Sequence, residues 1–167
     1  MMRCTVDTNV PVVANGRSDM AGGSRVPSID CRLAAIELLE RILNYGKIFI
    51  DTEGEIQREY HRHLNPKGQP GVGDRFYQEV INSAPRLVER ISLSRLENGE
   101  YVDFPNDPAL ERFHQDDRKF AALSRKERIP VVNATDSDWV NYKDSLERNG
   151  VSIKFICGCD PAGWFDV

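Results

Sequence analysis

Four short apolar runs set the frame for this chain: RCTV at 3–6, KIFI at 47–50, IPVVNA at 129–134 and VSIKFI at 151–156. None alternates cleanly between polar and apolar residues. Strands of that kind belong inside a sheet covered on both faces, the setting of parallel sheets in α/β proteins. The segments between the runs carry helical spacing instead. Leu33, Ile36, Leu39 and Leu43, with Leu38 and Ile42 alongside, mark one helix that Ser28 or Asp30 can cap and Gly46 closes. EGEIQREYHRHL, at 53–64, marks a second, with Ile56, Tyr60 and Leu64 one turn apart.

NPKGQPGVG, at 65–73, is a break, and a third helix is expected over 73–90, kinked or divided at Pro85. The stretch from 91 reads as strand or further helix. ALERFHQDDRKFAALSRKER, at 109–128, reads as one long helix or two short ones, and SDWVNYKDSLERNG as a helix closed by Gly150. The Gly-, Ser- and Pro-rich stretch at 8–28 is a loop with room for one helical turn. This order predicts a three-layer α/β/α sandwich around a central, mainly parallel sheet of four to five strands. At 167 residues, one domain spanning 1–167 accounts for the chain.

Composition excludes some classes. Apolar residues make up 40% and charged residues 29%, as in ordinary globular proteins. No apolar run approaches the roughly 20 residues of a membrane-spanning helix. The N-terminus lacks a signal-peptide core, so a cytoplasmic protein without membrane contact is expected. Cys4, Cys31, Cys157 and Cys159 form no C-x-x-C pair, and buried or idle thiols are the expectation. A net charge of −4 argues against a strongly basic nucleic-acid-coating protein. It leaves room for a nuclease with an acidic metal site.

Ligands of open parallel sheets bind at the carboxyl ends of the strands. Asp7 ends the first strand, and Asp136 and Asp138 follow the third run. Asp117 sits three residues before Phe120 and can lie at the rim of a buried helix face, while Glu59 neighbours Tyr60. Each acid alone is more simply a turn former or cap; Asp138 can cap the helix that follows it, and Asp51 is read as a cap. Together they form a costly cluster, because neighbouring carboxylates raise one another's pKa. A divalent cation removes that cost, and an all-oxygen site suits Mg²⁺ or Mn²⁺ better than zinc. Arg58, Arg62 and Lys67 around one helix end, with Arg118 and Lys119 beside Asp117, are candidate phosphate contacts. A solvated, charge-mixed helix face explains each of them as well. His61, His63 and His114 are read as surface residues.

Four segments carry a resemblance: VDTNV at 6–10, EIQREYHRHL at 55–64, DDRKFAALS at 116–124 and NATDSDW at 133–139. In this order they resemble the motifs of the PIN-domain family of metal-dependent nucleases. The resemblance implies a metal-binding and catalytic set of Asp7, Glu59, Asp117 and Asp136, with Asp138 as a fifth acid. Thr8 and Asn9 would border the site, and Thr135 would orient a water. Glu55 competes with Glu59 one turn away, and Asp116 with Asp117; the Tyr60 neighbour and the Phe120 spacing favour Glu59 and Asp117. The implied activity is an endoribonuclease that cleaves single-stranded or looped RNA with a metal-activated water. A toxin with an antitoxin partner, and a homodimer, are further implications. The alternatives are a non-catalytic RNA- or protein-binding scaffold and a single-strand or flap DNA nuclease.

Overall fold

The computed structural model describes residues 1–17, 25–82 and 85–166. Strand β1 (Met2–Val6) leads into a short helix α1 (Asn9–Ala14), then α2 (Ile29–Tyr45), β2 (Gly46–Asp51), α3 (Glu55–His63), α4 (Val72–Asn82) and β3 (Val88–Ile91). After a long irregular stretch come α5 (Arg118–Glu127), β4 (Pro130–Asn133), the short helices α6 (Ser137–Asn141) and α7 (Lys143–Arg148), and β5 (Ser152–Phe155). The five strands form one parallel sheet in the order β3-β2-β1-β4-β5. Helices flank this sheet, giving the expected three-layer α/β/α sandwich. Ile48, Phe49 and Ile50 of β2 are all buried, as are Val131 and Val132 of β4, so both faces are covered.

The chain leaves β1 for β2 and β3 on one side, then crosses to β4 and β5 on the other. The gap between β1 and β4 is therefore the point where the strand order reverses, the usual ligand crevice of an open α/β sheet. Register fixes what stands there. Val6 pairs with Val132, and the Asp7 amide continues the ladder to the Val132 carbonyl at 3.1 Å.

Helix α2 starts where Ser28 accepts a hydrogen bond from the Cys31 amide at 3.2 Å. Its buried stripe is Cys31, Ala35, Leu38, Leu39 and Ile42, so Leu33 falls outside the stripe and is 57% exposed. At Gly46 a Cβ would lie 2.8 Å from the Ile42 Cα, and only glycine allows so sharp a passage from helix to strand. The segment expected to be helical over 73–90 stops at Asn82. Pro85 cannot donate to a helical ladder, and Val88–Ile91 pairs with Ile48–Asp51 as β3 instead.

The segment 109–128 is neither one helix nor two. Pro108–Leu110 and Gln115–Asp117 are single 3₁₀ turns, and the α-helix begins only at Arg118. Arg118 is the cause. Its buried guanidinium donates to the carbonyls of Leu110, Glu111 and Phe113 at 2.9–3.3 Å, taking the acceptors an α-helix there would use. The expected helix over 137–150 is also divided, at Tyr142, whose ring packs with Trp139 around Phe113.

The expectation of idle thiols fails for two cysteines. Cys31 and Cys157 form a disulfide across 126 residues of sequence, while Cys4 is buried and free and Cys159 exposed and free. Burial pushes the Cys4 thiol up to about 12. The chain after β5 folds back over the start of α2, where the Trp164 carbonyl accepts from the Ser28 amide at 2.8 Å and the Trp164 ring is buried. That return brings the two sulfurs together. No helix among the described residues is long and apolar enough to cross a membrane.

Candidate functional site

Asp7 is the first residue beyond β1 and is fully buried. Its carboxylate accepts from the Trp139 indole nitrogen and, at 3.4 Å, from the Asn9 amide. The preceding carbonyl, of Val6, accepts from the Tyr60 hydroxyl. Asp136 arrives from β4 through a turn held by two asparagines. Asn9 Oδ1 accepts from the amides of Ala134 and Thr135 at 2.8 and 3.0 Å, and Asn9 Nδ2 donates to Asn133 Oδ1 at 2.9 Å. Asn133 closes the turn by accepting from the Asp136 amide at 3.2 Å. Asp136 then caps α6, with Oδ1 accepting from the Asp138 amide at 2.9 Å. Asp117 stands at the start of α5, and the fully buried Phe120 fixes the helix phase that turns it inward.

Asp7, Asp117 and Asp136 each present one carboxylate oxygen, and these three oxygens lie within 4.8 Å of one another. Among the described residues no lysine, arginine or histidine makes an ion pair with any of them. The electrostatic consequence is large. Burial, then Asp136 and Glu59, hold the Asp7 carboxyl well above the usual carboxylate range against the pull of the Trp139 and Asn9 hydrogen bonds. Burial and the charges of Asp7, Asp136 and Glu59 push Asp117 up to about 10, with Lys119 opposing. Asp136 is raised as well, chiefly by burial. Three carboxylates in this space do not all ionise at neutral pH without a cation.

Glu59 lies beside the trio and outside it. It is 3% exposed, accepts from the Thr8 hydroxyl at 2.6 Å and forms an ion pair with buried Lys119, whose ammonium also donates to the Asp116 carbonyl. The structure thus gathers three of the four acids expected as a quartet and gives the fourth its own counter-charge. Asp138 is half-buried on the cleft wall and outside the trio. Of the rival positions, Asp116 is exposed, and Glu55 is bound to Arg58 at 2.6 Å.

A cleft of about 560 Å³ opens over Asp117 and Asp136, walled by Glu59, Arg62, His63, His114 and Asp138. Arg62 is the one predicted phosphate contact on this wall. Arg58 is turned to Glu55 and the Glu53 carbonyl. Arg118 is a correction, because its guanidinium is held by backbone carbonyls and Glu100 and does not line this cleft. Thr8 and Asn9 are buried inside the framework, and the Thr135 amide is held by Asn9. His63, read as a surface residue, stands on the wall. Burial first, then Arg62 and Arg17, lower its pKa, with Glu59 opposing.

Sequence reasoning missed the parts played by Lys119, Asn133 and Trp139. A polar residue ending an apolar strand was the available signal for Asn133. For Lys119 it was a basic residue on the same helix as Asp117. Nothing local marked Trp139 as a donor to a residue 132 positions away. No protein-family model, no curated protein and no solved structure matches this chain.

Proposed function

We propose that Asp7, Asp117 and Asp136 hold a divalent cation of the Mg²⁺ or Mn²⁺ class and that the protein hydrolyses phosphodiester bonds, with single-stranded or looped RNA as the favoured substrate. The observation that carries this reading is the convergence of three uncompensated carboxylates within 4.8 Å at the strand-order reversal of a parallel sheet. The donor set fits the cation. It is all oxygen, from two buried aspartates, Asp7 and Asp117, and a partly buried one, Asp136. A cation held there supplies Lewis acidity toward a phosphoryl oxygen and lowers the pKa of a bound water.

The chain's own residues do the rest. Trp139 and Asn9 fix the Asp7 carboxylate, the Asn9–Asn133 pair holds the turn that carries Asp136, and Lys119 pairs with Glu59 beside the trio. Arg62 on the cleft wall is placed to meet a substrate phosphate. The motif resemblance to PIN-domain nucleases supports the same reaction and is what favours RNA over DNA.

The test is cleavage of labelled single-stranded RNA, and of the same sequence as DNA, with Mn²⁺, Mg²⁺ or EDTA. Asp136→Asn is the informative variant, since asparagine keeps the cap to the Asp138 amide while removing the charge. Metal-dependent cleavage by the wild type that falls to background in the variant is expected. No cleavage of either polymer, together with no metal-induced thermal shift, would leave the non-catalytic scaffold as the better reading.

A further inference from the structure

A second cleft, of about 640 Å³, lies on the other side of the α3 end. Three elements supply its cationic wall: Arg17 from the exit of α1, Arg32 from the first turn of α2, and Arg62 from α3. The Arg17 guanidinium donates to the His63 carbonyl, which anchors it to α3. Arg32 lies over Gly16, its Cζ 3.1 Å from where a Cβ would stand, and the φ of +80° at that residue favours glycine. Among the described residues the one carboxylate in the wall, Asp74, is engaged by the Asn15 side chain and by the amides of Asn65 and Gly71 at 2.8–3.0 Å. Among the described residues none of the three arginines has a carboxylate partner.

Arg62 and His63 line this cleft and the acidic one alike, so the two meet at the end of α3. We infer that Arg17, Arg32 and Arg62 form a phosphate-binding subsite that takes a neighbouring phosphate of the strand whose backbone lies in the acidic cleft. Guanidinium groups suit this ligand because their planar forks match phosphate oxygens. The acidic trio repels phosphates until a cation is bound, so affinity for the strand has to come from outside it. Three arginines beside the trio supply it in a chain whose net charge is −4. The inference rests on the nuclease reading for its ligand, and on the geometry of this cleft for its location.

The experiment measures binding apart from cleavage. A fluorescently labelled short single-stranded RNA, carrying either a 5′-phosphate or a 5′-hydroxyl, is titrated by anisotropy in EDTA over a range of salt. The proteins are the wild type, Arg32→Gln, Arg62→Gln, the double variant, and Arg41→Gln on the remote part of α2. Arg32 and Arg62 are exposed, and among the described residues neither guanidinium makes an internal hydrogen bond. Each single substitution should weaken binding up to about fivefold. It should also reduce the slope of log affinity against log salt by about 0.7.

Equal losses on both RNAs would assign the subsite to an internal phosphodiester, and a loss only on the 5′-phosphorylated RNA to a terminal phosphate. Affinity and salt slope unchanged from Arg41→Gln, or no binding by the wild type, would overturn the inference. Arginine-dependent binding without any cleavage in Mn²⁺ would keep the subsite and sink the nuclease reading. Cleavage with normal binding by the double variant would do the reverse.

Discussion

Two sets of buried acids lie side by side in this protein and are treated differently. Glu59 has a lysine against one carboxylate oxygen and a threonine hydroxyl against the other. Asp7, Asp117 and Asp136 have each other, a few hydrogen bonds and no ion-pair partner among the described residues. Burying a charge is costly unless it is paired, and the fold answers that cost for Glu59 with Lys119. It leaves the trio uncompensated although Lys119 comes from the same helix as Asp117. The contrast separates a trio that the described residues leave without a counter-charge from Glu59, which is tied by its lysine into the framework around it.

The largest effect should come from breaking the framework half. Lys119→Met leaves Glu59 buried and unpaired and should cost about 3–5 kcal/mol of unfolding free energy. The double variant Lys119→Met/Glu59→Gln should regain most of that loss. Urea denaturation at neutral pH reads both. A loss in the single variant of less than about 1 kcal/mol, the value of an exposed pair, would remove the distinction drawn between the two sets.

Next in size is the cation itself. Millimolar Mn²⁺ or Mg²⁺ should raise the melting temperature by the equivalent of about 2–3 kcal/mol if it reaches about a hundred times its dissociation constant. The rise should be lost in Asp136→Asn and kept in Lys119→Met/Glu59→Gln. Equal shifts in all three proteins would place the cation elsewhere.

The pH dependence sharpens the comparison further. Asp7, Asp117 and Asp136 all have raised pKa values in the folded, metal-free protein, so the folded state retains protons that the unfolded chain releases. Their contribution is fully present below the unfolded carboxylate pKa and is lost as pH rises toward the folded values, about 10 for Asp117. In EDTA, stability should therefore fall between about pH 5 and about pH 9. Asp117→Asn should flatten that slope and be the more stable protein at the alkaline end, by about 1–2 kcal/mol. A wild-type curve as flat as the variant's would mean that the trio is already compensated.

Much of the frame was legible in the sequence because it rests on local pattern. The apolar runs at 3–6, 47–50, 129–134 and 151–156 all became strands, and Asp51 caps α3 as read, its carboxylate accepting from the Glu55 and Ile56 amides at 2.9 Å. The inward placing of Asp117 rather than Asp116 was legible too, since Phe120 fixes the helix phase. What stayed hidden depends on distant partners. Arg118 looked like a surface phosphate ligand because nothing local reveals that three carbonyls of a preceding turn surround it. The disulfide joins residues 126 apart, and the Glu59–Lys119 pair spans 60. β3 was obscured because its four residues follow a helical pattern, and only pairing with β2 decides their state.

The smallest effect separates two acids only two positions apart. Asp138 was expected as a fifth acid beside Asp136, yet only Asp136 presents an oxygen to the trio. Asp138 is bound through its backbone amide to Asp136, and its side chain stands on the cleft wall in the first turn of α6. Asp138→Asn should therefore change stability by no more than about 0.5 kcal/mol in EDTA, in either direction, and leave the pH slope as it is. The metal-induced rise in melting temperature should survive, somewhat reduced by the loss of one nearby charge. If instead Asp138→Asn abolishes the rise as completely as Asp136→Asn, then the cation is gripped from the cleft wall as well. The centre would in that case span four acids, and Glu59, with its lysine, would remain the only one of the five with a built-in counter-charge.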